Sequence, residues 1–281
     1  MAFSLASPTP LAYFSTLVQS DRQFPLLEAA INLAQDEYPE LDAQQVLSDI
    51  DRMLDRVKRR LPLDASALHK LRMLNQFFFQ ELRFGGNAND YYNPDNSYLH
   101  IVLHSRRGIP VSLAVLWLEL AQGLGLKAGG IGFPGHFMVK VNLPDGQVVM
   151  DPLSGRSLSR EELSERLALY HQTAQPEMEV PLGAYLRVAT ARDIVARMLR
   201  NLKEIHRAQE DWPRMVAVQN RLLILLPQAW EEFRDRGLAW AELGQARAAV
   251  QDMETYLEHV EGGPDRHAIA ERVAELRRRT A

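Results

Sequence analysis

The chain has 281 residues, of which 46% are hydrophobic and 24% are charged, and its formal net charge is −4. This is the composition of a globular protein, and the length suits roughly two domains of ordinary size. The sequence contains no cysteine. Disulfides, thiolate metal sites, thiol redox switches and thiol nucleophiles are therefore excluded.

The charge and hydropathy patterns favour a cytoplasmic protein that binds neither nucleic acid nor a membrane. The basic clusters at 56–60 and 277–279 are short and lie on amphipathic patterns, which is typical of solvated helix faces. No apolar run approaches the roughly 18 residues of a membrane span. The first residues, MAFSLASPTPLAYF, lack the basic and apolar regions of a signal peptide.

Apolar residues recur at helical spacing in three segments of the N-terminal part, 24–33, 42–61 and 66–84. About the first twenty residues are expected to be irregular. The third segment should end at Gly85–Gly86, where a positive φ is easily adopted. An all-helical N-terminal region is therefore predicted.

A loop, a short helix and a buried helix are predicted next. The loop 87–96, NANDYYNPDN, is rich in turn-forming residues, and the short helix over 98–107 should stop at Gly108. Pro110 suits the first turn of the following helix, 110–124. Apolar residues cover nearly every direction around that helix, which indicates that it is buried.

A Gly-rich connection leads from this helix to a β-hairpin predicted over 137–143 and 147–150, where β-branched and apolar residues flank Pro-Asp-Gly. Side chains alternate between the faces of a strand, so the loop length decides which residues share a face. A two-residue loop places His136 and Asp151 on the same face. A three-residue loop would place them on opposite faces.

The C-terminal part is predicted to be helical, with a linker at 177–181 and paired amphipathic helices after Leu186. The second pair has the small and aromatic residues of a helical hairpin at regular positions: Phe233, Gly237, Trp240, Leu243, Gly244, Ala249 and Tyr256. This pattern resembles a tetratricopeptide repeat. The charged helix 266–279 is expected to cap the stack.

His136 and Asp151 are the first candidate site. A histidine held by a carboxylate is oriented, fixed in one tautomer and suited to proton transfer near neutral pH. The alternative is structural: His136 enters a strand as a hydrogen-bonded core residue, and Asp151 begins a turn before a proline. The spacing alone leaves both interpretations open.

The segment 106–141, RRGIPVSLAVLWLELAQGLGLKAGGIGFPGHFMVKV, together with VVMDP at 148–152, resembles the transglutaminase-like superfamily. The sequence YYNPDNSYLHIVLHSRRGIP, the FPGHF element and the C-terminal repeats look like the bacterial SirB-type branch of that superfamily. The resemblance implies a papain-like core in which a cysteine at the start of a buried helix is followed by a histidine and an aspartate. His136 and Asp151 match that histidine and aspartate.

The sequence departs from the family pattern at the nucleophile. The resemblance places Pro110 at or next to the position of the cysteine, and proline offers no nucleophilic atom. The nearest hydroxyl, on Ser112, lies about 200° around the helix, so we expect it to satisfy a backbone carbonyl or the preceding loop. A serine hydrolase built on Ser112, His136 and Asp151 is the alternative, and it needs the hydroxyl within hydrogen-bond reach of the histidine.

Polar residues just before the central helix form a second candidate site, for binding. They are Tyr91, Tyr92, Asn93, Asn96 and Arg107. An arginine together with amides suits a carboxylate or a peptide backbone. The alternative is that the asparagines serve turn geometry alone.

His100 and His104 have the i, i+4 spacing with which two imidazoles can share a metal. No third ligand is evident, so a surface helix is the preferred interpretation. Neither a metal nor any other cofactor is expected.

The sequence thus predicts an α+β fold. N-terminal helices and a transglutaminase-like (papain-like) core with a small antiparallel sheet occupy 1–181, and an all-α tetratricopeptide-like module occupies 182–281. The preferred function is a non-catalytic, degenerate member of the superfamily whose groove binds a protein or peptide partner, with the repeats extending the surface. The alternatives are a hydrolase or acyl transferase that uses Ser112 or a water activated by His136 and Asp151, and a regulator acting through protein contacts alone. The oligomeric state stays open.

Overall fold

The computed structural model describes residues 8–174 and 181–280. Its contacts divide the chain into two compact units. The first unit is Asp21–Met198, and the second combines the described parts of Met1–Ser20 and Leu199–Ala281. Except for Pro181, the predicted linker 177–181 lies outside the described residues.

The chain passes from the first unit to the second after Met198, whereas the sequence predicts a boundary after residue 181. Two hydrogen bonds tie the intervening segment to the sheet of the first unit. The Lys140 Nζ donates to the Leu186 carbonyl at 2.6 Å, and the Ala189 amide donates to the Gly130 carbonyl at 2.9 Å. These contacts explain why the segment after 181 remains with the first unit.

The helices are α1 (Pro10–Leu17), α2 (Leu26–Asn32), α3 (Ala43–Lys58), α4 (Ala67–Asn75), α5 (Leu99–Ser105), α6 (Pro110–Gly123), α7 (Arg160–Ala174), α8 (Leu182–Tyr185), α9 (Ala191–Ala208), α10 (Trp212–Leu225), α11 (Trp230–Glu242), α12 (Ala246–His259) and α13 (Arg266–Thr280). The strands are β1 (Gly85–Gly86), β2 (Arg107–Gly108), β3 (Lys127–Ile131), β4 (Met138–Leu143), β5 (Gly146–Met150) and β6 (Ser157–Leu158). A π-helical turn, Gln76–Glu81, follows α4, and a 3-10 turn, Pro94–Ser97, precedes α5.

Two predictions for the N-terminal region are corrected. The start of the chain, expected to be irregular, contains α1, because the Thr9 side chain caps the helix by accepting a backbone N–H and Pro10 suits the first turn. The helix predicted without interruption over 66–84 changes to π geometry, in which the Leu82 amide donates to the Phe77 carbonyl, five residues back, at 2.9 Å.

The central helix α6 lies in the core of the first unit, as its apolar pattern predicts. Every residue from Pro110 to Leu118 is buried. The Trp117 Nε1 donates to the Asn75 Oδ1 at 3.0 Å, so the indole keeps a polar partner in the core. Helix α6 packs against α3 and against β3 and β4, and it thereby positions the sheet.

The sheet is antiparallel in the order β3-β4-β5-β6. Leu143 pairs with Gly146, which leaves Pro144 and Asp145 as a two-residue loop. The predicted hairpin is confirmed, with the loop length that puts His136 and Asp151 on one face.

Strand β3 corrects the interpretation of the Gly-rich stretch as a connection. A Cβ at Gly129 would lie 2.5 Å from the Cγ1 of Val188, and a Cβ at Gly130 would lie 2.5 Å from the Cζ of Phe137. The glycines therefore leave room for side chains that pack directly on the strand backbone. A Gly-rich composition by itself favours a loop. The composition does not show that Val188 and Phe137, which lie outside the strand, occupy the space beside its glycines.

The second unit confirms the predicted helical hairpin of α11 and α12. A Cβ at Gly237 would lie 2.8 Å from the Cγ of Met253 and 3.1 Å from the carbonyl oxygen of Ala249, so glycine permits the close approach of the two helices. The predicted capping helix is present as α13. It buries Ile269, Val273 and Leu276.

Candidate functional site

His136 and Asp151 meet at the ends of the central hairpin. The distance between the His136 Nε2 and the Asp151 Oδ1 is 3.1 Å, and the two side chains are 20% and 16% exposed. His136 follows Gly135, whose φ of 69° belongs to a tight turn, and its amide donates to the Phe133 carbonyl at 3.1 Å. The pair is therefore held by the backbone on both sides and remains in partial contact with solvent.

The surroundings of Asp151 favour its ionised form. Burial raises the pKa of the Asp151 carboxyl, but hydrogen bonds from His136 and from the Leu153 amide, with the charges of His136 and Arg166, bring it below its usual value. The Leu153 N–H donates to the Asp151 Oδ1 at 2.9 Å.

The turn that carries Asp151 packs closely on the elements before α5. A Cβ at Gly155, where φ is 70°, would lie 2.4 Å from the Cδ2 of Phe79 in the π-helical turn. A Cβ at Gly86 in β1 would lie 3.2 Å from the Cδ2 of Leu153. These contacts fix the position of the carboxylate.

Sequence reasoning missed two groups that act on Asp151, the Leu153 amide and Arg166. The amide has a signal in the sequence, because an aspartate commonly accepts the N–H two residues further on in an Asx turn. Arg166 comes from α7, and its proximity depends on how that helix packs on the sheet.

Ser112 has its hydroxyl engaged away from His136. The Ser112 Oγ donates to the Asn96 carbonyl at 2.6 Å and accepts from the Ile109 amide at 3.1 Å, and the side chain is fully buried. Among the described residues, its hydrogen bonds do not include one to His136. The expectation that Ser112 satisfies a backbone carbonyl is confirmed, and the contact that a serine nucleophile needs is missing from the described contacts.

The two predicted asparagines serve loop geometry. The Asn96 Nδ2 donates to the Asp90 carbonyl at 2.7 Å and to the Tyr91 carbonyl at 3.3 Å, and its Oδ1 accepts from Asn87 at 3.1 Å. The Asn93 Oδ1 caps the 3-10 turn by accepting the amide that follows Pro94 at 2.9 Å. These contacts agree with the turn interpretation of both residues.

The other predicted binding residues differ in how far contacts within the fold engage their side chains. The Arg107 Nη1 donates to the Arg83 carbonyl at 2.6 Å, which uses part of its hydrogen-bonding capacity within the fold. Tyr91 and Tyr92 are 52% and 71% exposed, and their rings meet edge to face at 5.3 Å. Of the predicted set, Tyr91, Tyr92 and Arg107 are exposed to solvent.

Within the described part of the chain, no three His, Cys, Asp or Glu side chains come together in a way that could hold a metal ion. None of the helices in the described ranges, 8–174 and 181–280, is long and apolar enough to span a bilayer.

Comparisons with known proteins agree with this architecture. A family model for the transglutaminase-like superfamily matches residues 44–200, and one for the tetratricopeptide repeat matches residues 202–274. A UPF0162 protein of Xylella fastidiosa (strain Temecula1) is 38% identical over 239 residues, which cover 85% of each chain. A UPF0162 protein of Pseudomonas aeruginosa (strain PAO1) is 28% identical over 256 residues, which cover 89% of this chain and 90% of the relative.

A more distant relative is the UPF0162 protein YchA of Escherichia coli (strain K12), which is 25% identical over 241 residues, covering 85% of this chain and 88% of the relative. No solved structure matches the chain significantly.

Proposed function

Because the chain belongs to the transglutaminase-like superfamily and to the family of UPF0162 proteins, we propose that it is a non-catalytic member that binds a peptide or protein partner. In this proposal the surface beside His136 and Asp151 contacts the partner, and the helical repeats offer a further surface for protein contacts.

The observation that carries the proposal is the chemistry at the start of α6. The sequence contains no cysteine, and Pro110 stands at or next to the position where the superfamily resemblance places the nucleophile. The only hydroxyl in the first turn, on Ser112, is buried and bonded to the backbone of Asn96. A covalent acyl intermediate needs a nucleophilic atom within reach of a base, and this turn does not offer one.

The binding role is supported by the groups that remain at the surface. His136 and Asp151 form an oriented polar pair that can exchange hydrogen bonds with a peptide amide. Exposed aromatic side chains such as Tyr91 and Tyr92 supply contact area at a low cost in side-chain entropy.

The first experiment measures turnover. The full chain is incubated with a panel of amide and ester substrates, and the same panel is applied to His136→Ala and to a control, His267→Ala, whose side chain is 88% exposed. We expect no turnover that depends on His136. Hydrolysis or acyl transfer that disappears in His136→Ala and persists in His267→Ala would refute the proposal.

The second experiment measures binding. Peptides are selected from a random library on the immobilised full chain, and their affinities are determined by fluorescence anisotropy. We expect some peptides to lose about tenfold in affinity for His136→Ala, which is the upper end of the effect of removing one neutral hydrogen bond. Selected peptides that all bind His136→Ala and His267→Ala equally would contradict a binding role for the surface beside His136.

The second candidate function is a hydrolase in which His136 and Asp151 activate a water. It is favoured by the intact pair at 3.1 Å and by its partial exposure, since a histidine held by a carboxylate can act as a general base. Trapping of an acyl-enzyme intermediate during any His136-dependent hydrolysis would separate this mechanism from a serine mechanism, because only the serine mechanism forms one. In the serine version, which the contacts of Ser112 disfavour, Ser112→Ala would also abolish turnover.

A further inference from the structure

A cavity with a volume of about 490 Å³ lies in the first unit, away from His136 and Asp151. It is lined by residues of α3 and α5 and by Arg106, which follows α5. Val46, Met53 and Leu103 are its buried apolar members. A cavity of this size falls within the range of small-molecule binding sites.

The charges around the cavity are predominantly basic. Three arginines and two histidines line it, with a single carboxylate: Arg52, Arg56, Arg106, His100, His104 and Asp49. Asp49 forms an ion pair with Arg52. Within the described residues, Arg56 and Arg106 form no ion pair. Arg56 lies 5.1 Å from the centre of the Phe77 ring, and Asp49 is the carboxylate of the lining whose charge acts on Arg106.

The surroundings of Arg106 include both favourable and unfavourable contributions to its charge. Its guanidinium lies 4.7 Å from the centre of the Phe84 ring, a cation–π contact that favours the charge. Burial lowers the pKa of Arg106, the charge of Arg56 lowers it further, and the charge of Asp49 raises it. An anion placed between the two guanidinium groups would offset the burial and the like charge of Arg56.

Buried polar atoms in the same wall have no hydrogen-bond partner. Within the described residues, these are the Nη1 of Arg106 and both ring nitrogens of His100. His100 is half-buried in this helix, and its ring packs edge-on against Tyr38 at 4.6 Å. Buried polar groups normally have a partner, and unpartnered ones beside a cavity point to a ligand that supplies it.

The backbone at Arg106 is also unusual. Its φ is 62°, in the left-handed region, where it ends α5. Glycine or asparagine normally occupies such a C-terminal position because a larger side chain is strained there. Arg83 shares this conformation, with a φ of 58°, so the backbone alone does not assign a ligand contact to Arg106, and a glycine at either position would relieve the strain.

We propose that this cavity binds a small molecule carrying a phosphate monoester, with the phosphate between Arg56 and Arg106 and the organic part on the apolar lining. A phosphate monoester carries close to two negative charges at neutral pH, which matches the two unpaired guanidinium groups. The planar guanidinium fork suits phosphate oxygens. The cavity has room for an organic group beside the phosphate, and Met53 and Leu103 provide apolar contacts for it.

Isothermal titration calorimetry at constant ionic strength tests the proposal with three probes. Phenyl phosphate supplies a dianion and an apolar ring, inorganic phosphate supplies the dianion alone, and benzenesulfonate supplies the ring with one charge. We expect phenyl phosphate to bind most tightly, with saturation at one site. Absence of saturable binding up to millimolar concentration, or equal affinity for benzenesulfonate, would overturn the proposal.

Matched variants locate the site. Arg106→Gly removes the guanidinium and relieves the backbone strain, so the fold should be retained. The control is Arg83→Gly, because Arg83 has a φ of 58°, is exposed and does not line the cavity. We expect the Kd for phenyl phosphate to rise about tenfold or more in Arg106→Gly and less than about twofold in Arg83→Gly.

A second pair of variants tests the other guanidinium. Arg56→Gln should weaken phenyl phosphate binding, whereas Arg59→Gln, on the exposed side of the same segment, should leave it unchanged. Equal losses in a variant and its control, for either pair, would mean that the anion senses only the overall charge, and the proposal would be wrong. Thermal denaturation of each variant confirms that it is folded.

Discussion

Replacing Ser112 with alanine tests whether the start of α6 is a structural junction. The hydroxyl can donate to the Asn96 carbonyl at 2.6 Å or to the Ile109 carbonyl at 3.0 Å, and it accepts from the Ile109 amide at 3.1 Å. The Ile109 amide also reaches the Asn96 carbonyl at 3.2 Å, and the Leu113 amide donates to the Ile109 carbonyl at 3.1 Å, so none of these groups is left without a partner in the variant. With one donated and one accepted bond at about 0.5–1.5 kcal/mol each, we expect a loss of about 1–3 kcal/mol in the free energy of unfolding.

Hydrogen exchange followed by mass spectrometry is suited to this measurement, because peptides covering 105–125 report the opening of α6 separately from the second unit. The control is Ser164→Ala, since Ser164 is exposed in α7 and its hydroxyl bonds to the Arg160 carbonyl at 2.9 Å within the same helix. We expect the control to change the protection of α6 by less than about 0.5 kcal/mol. A Ser112→Ala effect as small as the control, or one seen only as a loss of hydrolase activity, would refute the structural role of Ser112.

Three further predictions concern packing and pH. Gly130→Ala should destabilise the first unit by about 1–3 kcal/mol in urea unfolding, because the methyl group would meet an aromatic ring, whereas Gly132→Ala, with no atom within 4 Å of the new Cβ, should be nearly neutral. Gly237→Ala should reduce the hydrogen-exchange protection of α11 and α12 by about 1–2 kcal/mol, because overpacking outweighs the higher helix propensity of alanine; increased protection would show that the two helices can separate without cost. The folded pKa of Asp151 lies below its usual value, so its stabilising effect is present above about pH 4 and is lost as the pH falls through the folded pKa. The difference in urea midpoint between the native chain and Asp151→Asn should therefore be larger at pH 7 than at pH 3, and an equal difference would contradict this assignment.

The parts of the fold that follow from local patterns could be predicted from the sequence. The buried helix α6 follows from apolar residues in every direction, and the approach of α11 to α12 follows from Gly237 at its position in the repeat. The orientation of His136 and Asp151 depends on the alternation of side chains and on the loop length. The sequence left the loop length open, and the observed two-residue turn is the length that places both residues on one face.

The parts that depend on distant residues could not be predicted. Strand β3 contains Gly129 and Gly130 because Val188 and Phe137 occupy the space that their side chains would need. The spacing of apolar residues gives no sign of those neighbours. The basic cavity is a similar case. Arg56 lies on α3 and Arg106 follows α5, so the two are far apart in the sequence, and only the fold brings them to one cavity.

The segments that lead into α6 connect these observations. Strands β1 and β2 form a short parallel pair, Gly85–Gly86 with Arg107–Gly108, and the Gly85 amide donates to the Arg106 carbonyl at 3.0 Å. A Cβ at Gly108 would lie 2.7 Å from the Ser112 Oγ, so the backbone packs directly against the hydroxyl. In papain-like chemistry the first turn of the central helix must present a nucleophile to the histidine. Here the same turn is joined to the preceding loop by hydrogen bonds and close packing, which is the arrangement expected if the region binds without reacting.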